Sequence, residues 1–100
     1  MPRLAIAFLL RAAAPAQAET CTWSRLSPEA FEEGPCTVEW TDRGATVTMD
    51  TRRWDIRERD RQGRWSEITL NGAEGMRFEV DREHYAHSTA DLNESLDIAP

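Results

Sequence analysis

The stretch CTVEWTDRGATVTM, residues 36–49, carries the pattern that decides the fold class. Cys36, Val38 and Trp40 alternate with Thr37 and Glu39; Ala45, Val47 and Met49 alternate with Thr46 and Thr48. A period of two puts each set on one face of an extended strand. Thr41-Asp42-Arg43-Gly44 between the two runs has turn composition, with Gly available where φ must be positive. Outward from this hairpin the same pattern repeats. Trp54 and Ile56 alternate with Asp55 and Arg57, and Asp60-Arg61-Gln62-Gly63 then breaks the run. Ser66, Ile68 and Leu70 alternate with Glu67 and Thr69. Asn71-Gly72 begins a turn that Ala73-Glu74-Gly75 extends into a longer loop, after which Met76, Phe78 and Val80 alternate with Arg77, Glu79 and Asp81. These runs give five strands in meander order, and Thr20 to Arg25 offers a sixth.

Two segments read differently. In Ser27 to Pro35, Ser27 suits a cap and Pro28 a first helical position, so the segment reads as a turn or a single helical turn. In Ser88-Thr89-Ala90-Asp91, the spacing is that of a capping box, and Leu92 and Leu96 lie four apart. A short helix over Thr89 to Asp97 is therefore predicted. The expected fold is mainly β (α+β): a small antiparallel meander sheet of five to six strands, curled or barrel-like, with a C-terminal helix. Trp23, Trp40 and Trp54 are assigned to its core.

The beginning of the chain reads as a secretory signal. Arg3 supplies a positive n-region, Leu4 to Leu10 are apolar, and Ala16-Gln17-Ala18 has the small-x-small form of a cleavage site, between Ala18 and Glu19. Arg11 shortens the apolar run. A spanning helix needs roughly 20 apolar residues, which no segment provides. Lipidation of Cys21 is disfavoured because Glu19 and Thr20 precede it. The expected product is residues 19–100, one domain, periplasmic or secreted from a bacterium. In such a compartment Cys21 and Cys36 read as a disulfide rather than a C-x-x-C redox pair. Closing a loop of about 15 residues contributes roughly 3 kcal/mol in the chain-entropy model.

All basic residues are Arg. From Glu19 onward ten arginines face eighteen acids, a balance of −8, which argues against nucleic-acid binding. Six of the ten (Arg52, Arg53, Arg57, Arg59, Arg61 and Arg64) fall within thirteen residues that also hold Asp55, Glu58 and Asp60. That segment is +3 and the remainder −11.

The segment defines the candidate binding residues: Arg53, Arg57, Arg59, Arg64 and Trp65. Trp65 has opposite parity to Ile68 and Leu70 and is predicted to face outward among the arginines, a hot-spot pairing suited to an acidic protein partner or an anionic polysaccharide of the cell envelope. The competing reading is a solvated hairpin with cross-strand charge pairs. His84 and His87 are the metal candidates: on a helix they share a face with Asp81 or Glu83 in reach, and on a strand they point apart. No nucleophile-elbow motif surrounds any serine, and Asn93-Glu94-Ser95 matches a glycosylation sequon inside the predicted helix. No catalytic residues and no cofactor are assigned. The leading expectation is a non-enzymatic binding module, of which an inhibitor of cell-wall hydrolases is one variant by analogy. A small metal-dependent or acid/base hydrolase using His84 and His87, and a structural envelope component, are the alternatives.

Overall fold

The computed structural model describes residues 16–100, so residues 1–15, with most of the expected signal peptide, lie outside the described residues. Eight strands follow one another: β1 Ala16–Arg25, β2 Ala30–Thr41, β3 Gly44–Met49, β4 Arg52–Gln62, β5 Trp65–Leu70, β6 Ala73–Asp81, β7 His84–Thr89 and β8 Glu94–Ala99. Each pairs antiparallel with the next, and β8 returns to β1 through Thr20↔Ala99 to Arg25↔Glu94, closing an up-and-down barrel. Eight strands enclose an interior that side chains can fill, and closure leaves no free sheet edge.

The period-two positions become the barrel's lining. Cys21, Trp23, Val38, Val47, Trp54, Ile56, Ile68, Leu70, Leu96 and Ile98 are buried, and Trp40 packs against this cluster. Cys21 and Cys36 form a disulfide that ties β1 to β2 inside the barrel. One end is closed by Trp23. Its ring lies 4.0 Å from the Arg52 guanidinium and 6.0 Å from the Trp54 ring, and its Nε1 donates to Glu94 at 3.0 Å. Toward the other end Trp40 meets Tyr85 at 5.3 Å.

Three expectations are corrected. Among the described residues the sheet has eight strands, not five or six: the sixth offered at Thr20 to Arg25 lies within β1, and residues 84–99 add β7 and β8. The C-terminal helix does not form: residues 84–99 are the hairpin β7–β8. Leu92 and Leu96, one face of that helix by spacing, separate completely, with Leu92 69% exposed and Leu96 buried. The groups read as a helix cap make a turn instead. Thr89 Oγ1 donates to Asp91 Oδ1 at 2.7 Å and accepts from the Glu94 N–H at 3.0 Å, while Leu92 takes φ 63°. Short polar side chains bond local backbone in turns as readily as at helix starts. Finally, of the two readings of residues 27–35 the turn is found and the helical turn is not; the turn ends at Glu29 and β2 begins at Ala30.

The fourth correction sets the surface chemistry. Asn71-Gly72 is a complete two-residue turn, with φ 51° and 86°, not the start of a longer loop. Both positive angles fit the hairpin turn whose twist matches its strands. Leu70 therefore pairs with Ala73, Ile68 with Gly75 and Ser66 with Arg77, all on the inner face. That register sends Arg77 into the barrel and Met76, Phe78 and Val80 out of it.

Candidate functional site

The outward residues of β5, β6 and β7 form an apolar surface. Trp65 pairs with Phe78, and Phe78 with Ala86, making a cross-strand row; Met76 lies in the next row between Glu67 and Ser88. Trp65, Met76, Phe78 and Val80 are 37–49% exposed, and Leu92 on the β7–β8 turn rises beside them. A shallow groove of about 340 Å³ runs between Met76, Phe78, Ala86, Ala90 and Leu92.

The arginines near Trp65 are mostly engaged by the protein itself. Arg64 donates 2.9 Å bonds to the carbonyls of Glu79 and Val80 and lies 5.9 Å over the Phe78 ring, fixing the edge of the apolar surface. Arg59 pairs with Glu74 at 3.3 Å. Arg52 pairs with Glu32 at 2.9 Å above Trp23, and Arg61 with Glu58 at 3.1 Å. Arg53 and Arg57 project outward from β4 and are exposed, with no ion pair among the described residues. The predicted cluster is thus divided: Arg64 and Trp65 border the apolar surface, while Arg53 and Arg57 stand apart from it on β4.

His84 and His87 lie on opposite faces of β7, so they cannot hold one ion between them. His84 faces out, with Nε2 3.1 Å from both carboxylate oxygens of Asp97. His87 is buried, and its Nδ1–H donates to the Leu96 carbonyl at 3.0 Å. Among the described residues no group of three His, Cys, Asp or Glu has metal-binding geometry. Burial pushes the His87 imidazole down to about 4, with the nearby Arg77 charge adding to that effect, against the Leu96 bond and the Asp97 charge.

Beneath the apolar surface lies a charged network the sequence reading did not find. Arg77 reaches Glu58 Oε2 at 3.2 Å, where the Ser66 hydroxyl also donates at 2.7 Å, and its guanidinium lies 5.2 Å from the Tyr85 ring. Burial pushes the Glu58 carboxyl up, but the Ser66 and Arg61 hydrogen bonds and the Arg61 and Arg77 charges outweigh it and hold it below the usual carboxylate range. Asn93, the sequon residue, has its amide bonded to both backbone groups of Ser27, joining the β1–β2 and β7–β8 turns.

Met76, Phe78, Ala86 and Leu92 were missed as surface residues, yet one signal for the first two was present. Taking Asn71-Gly72 as a complete turn fixes the parity of β6 from that of β5. No family model, curated protein or solved structure matches this chain.

Proposed function

We propose that the chain is an exported, non-enzymatic binding module whose contact surface is the apolar outer face of β5, β6 and β7. The observation that carries this reading is the register of β6, which turns Met76, Phe78 and Val80 outward beside Trp65 while burying Arg77. A disulfide and a small-x-small motif before Glu19 support export to an oxidising compartment. Two groups with shifted protonation, Glu58 and His87, are bonded within the barrel to Ser66, Arg77 and Leu96, which supports a structural rather than a catalytic role for them. Arg53 and Arg57 are kept as a second proposed contact region, for an acidic protein or an anionic polysaccharide, because both are exposed and have no ion pair among the described residues.

The test is affinity capture from bacterial envelope extract, followed by titration of the purified partner against the tagged protein. Two variants are compared, Met76→Ser with Phe78→Ser, and Arg53→Glu with Arg57→Glu, each first shown to be folded by circular dichroism. Loss of a buried aromatic anchor is expected to weaken binding by about thirtyfold. A partner lost by the first variant and kept by the second supports the apolar face. Loss confined to the second moves the interface to the arginines, and equal capture by all three proteins refutes both surfaces.

A further inference from the structure

The surface beside the apolar groove has an uncompensated charge, and its position indicates what binds. The cross-strand row through Met76 runs Asp60 on β4, Glu67 on β5, Met76 on β6, then Ser88 on β7. Asp60 and Glu67 are direct partners on the outer face and both exposed. Like charges directly opposite on a sheet are destabilising. Among the described residues no arginine forms an ion pair with either carboxylate, and this includes Arg57, which stands on the next outer row of β4 opposite Thr69. Arg59 is bonded to Glu74, Arg61 to Glu58 and Arg64 to backbone carbonyls. Gln62 donates to Asp60 at 2.6 Å, and Glu67 has no ion pair among the described residues. Strands stand about 4.8 Å apart, so both carboxylates lie within about 10 Å of Met76 along the row.

We propose that the face accepts a basic, apolar segment of a partner protein. An apolar side chain sits between Met76, Phe78 and Leu92, and an adjacent Lys or Arg pairs with Asp60 and Glu67. This rests on the reading of the face as a binding surface and adds the chemistry of its occupant. Charge complementarity selects this occupant over two others. A second copy would set Asp60 and Glu67 against its own acids, between domains of −8 each from Glu19 onward. An anionic lipid surface would be repelled by the same pair. Opposite charge at the rim speeds encounter and rejects like-charged competitors, while the apolar centre supplies the anchor.

The test uses two 12-residue peptides, one of alternating Leu and Lys and one of alternating Leu and Glu, titrated into the isotopically labelled, oxidised protein expressed from the full chain. The Leu/Lys peptide is expected to shift the amides of β5 to β7 and the Trp65 indole, with affinity that falls as salt rises; the Leu/Glu peptide is expected to leave them unmoved. Asp60→Asn with Glu67→Gln should weaken Leu/Lys binding about fivefold and flatten its salt dependence. Phe78→Ser, folded by its own spectrum, should abolish it. Equal binding of both peptides on this face, or unchanged affinity in the Asp60/Glu67 variant, overturns the proposed occupant and leaves the binding face standing. Shifts confined to other strands, or none at all, overturn the occupant; the captured partner's sensitivity to Phe78→Ser then decides the face separately. Dimerisation in sedimentation that Phe78→Ser abolishes makes a second copy the occupant and overturns the proposal.

Discussion

His87 is the residue whose chemistry is most altered by the fold. Its ring is buried with Nδ1–H on the Leu96 carbonyl, and Nε2 has no hydrogen-bond partner among the described residues. Protonation would place a second cation near Arg77, in a space with little water to solvate it. The folded imidazole therefore titrates at about 4, against 6.5 in the unfolded chain. Above pH 6.5 both folded and unfolded chains hold it neutral. Between 6.5 and 4 the unfolded chain takes up a proton that the folded chain refuses, so stability falls as pH falls, by about 3 kcal/mol across the window. Glu58 is depressed and adds loss in the same direction as pH falls below its unfolded value of 4.5. Glu19, raised by burial and by Glu83, acts in the opposite sense. Both remain in His87→Gln, so the difference between the two proteins isolates the imidazole. Urea unfolding at intervals from pH 7.5 to 4.5 should show a shallower decline for His87→Gln than for the native protein; parallel declines would assign the acid sensitivity elsewhere.

At the scale of elements, the close approach of β6 to β7 depends on Gly75. A Cβ there would fall 2.2 Å from the Ser88 carbonyl oxygen, which is backbone and cannot swing away. Gly75→Ala is expected to destabilise the protein by about 1–3 kcal/mol, as overpacking does. Denaturant melts should show the lowered midpoint; a neutral result would mean that β6 and β7 separate more easily than their ladder implies. The same two strands show what could be read from sequence and what could not. Alternation located β3, β4, β5 and β6, because half-buried strands must alternate. It did not fix the parity of β6, since a run of Met76, Phe78 and Val80 against Arg77, Glu79 and Asp81 reads as an inward apolar face whenever the preceding turn is left open. Only the turn carries that information: Asn71 and Gly72 both at positive φ fix the register by themselves. The interior position of Arg77, the pocket for His87 and the outward apolar face all follow from that register. The C-terminal hairpin was obscured for a different reason. Thr89, Asp91 and the spacing of Leu92 and Leu96 satisfy a helix locally, and only the need to pair β8 with both β7 and β1 decides against it.

At the scale of the molecule, the seam that makes the barrel is also its longest-range contact. β1 and β8 meet at Thr20↔Ala99 and Cys21↔Ile98, almost the full described length apart in sequence. Such a seam orders much chain before its contacts form, so it is the last ladder expected to gain protection. The disulfide bears on it directly. Cys21 and Cys36 hold β1 in register on β2, 15 residues away, so β8 meets a strand already in place. Replacing both cysteines by serine should therefore have a cost unevenly spread over the structure. The global loss is expected to be about 3 kcal/mol, seen as a fall in Tm of roughly 12–24 °C for a domain of this size. Amide hydrogen exchange adds the spatial signature. Protection across β1 and β8 should fall first, while β4 and β5, joined by the two-residue Gly63-Arg64 turn and paired from Ile56 to Gln62, keep theirs longer. A uniform loss of protection would make the bond a general restraint on the unfolded chain. Loss concentrated at β1 and β8 would make it the clasp of the barrel, and would explain how so small a domain holds a closed interior containing a buried ion pair beneath an exposed apolar face.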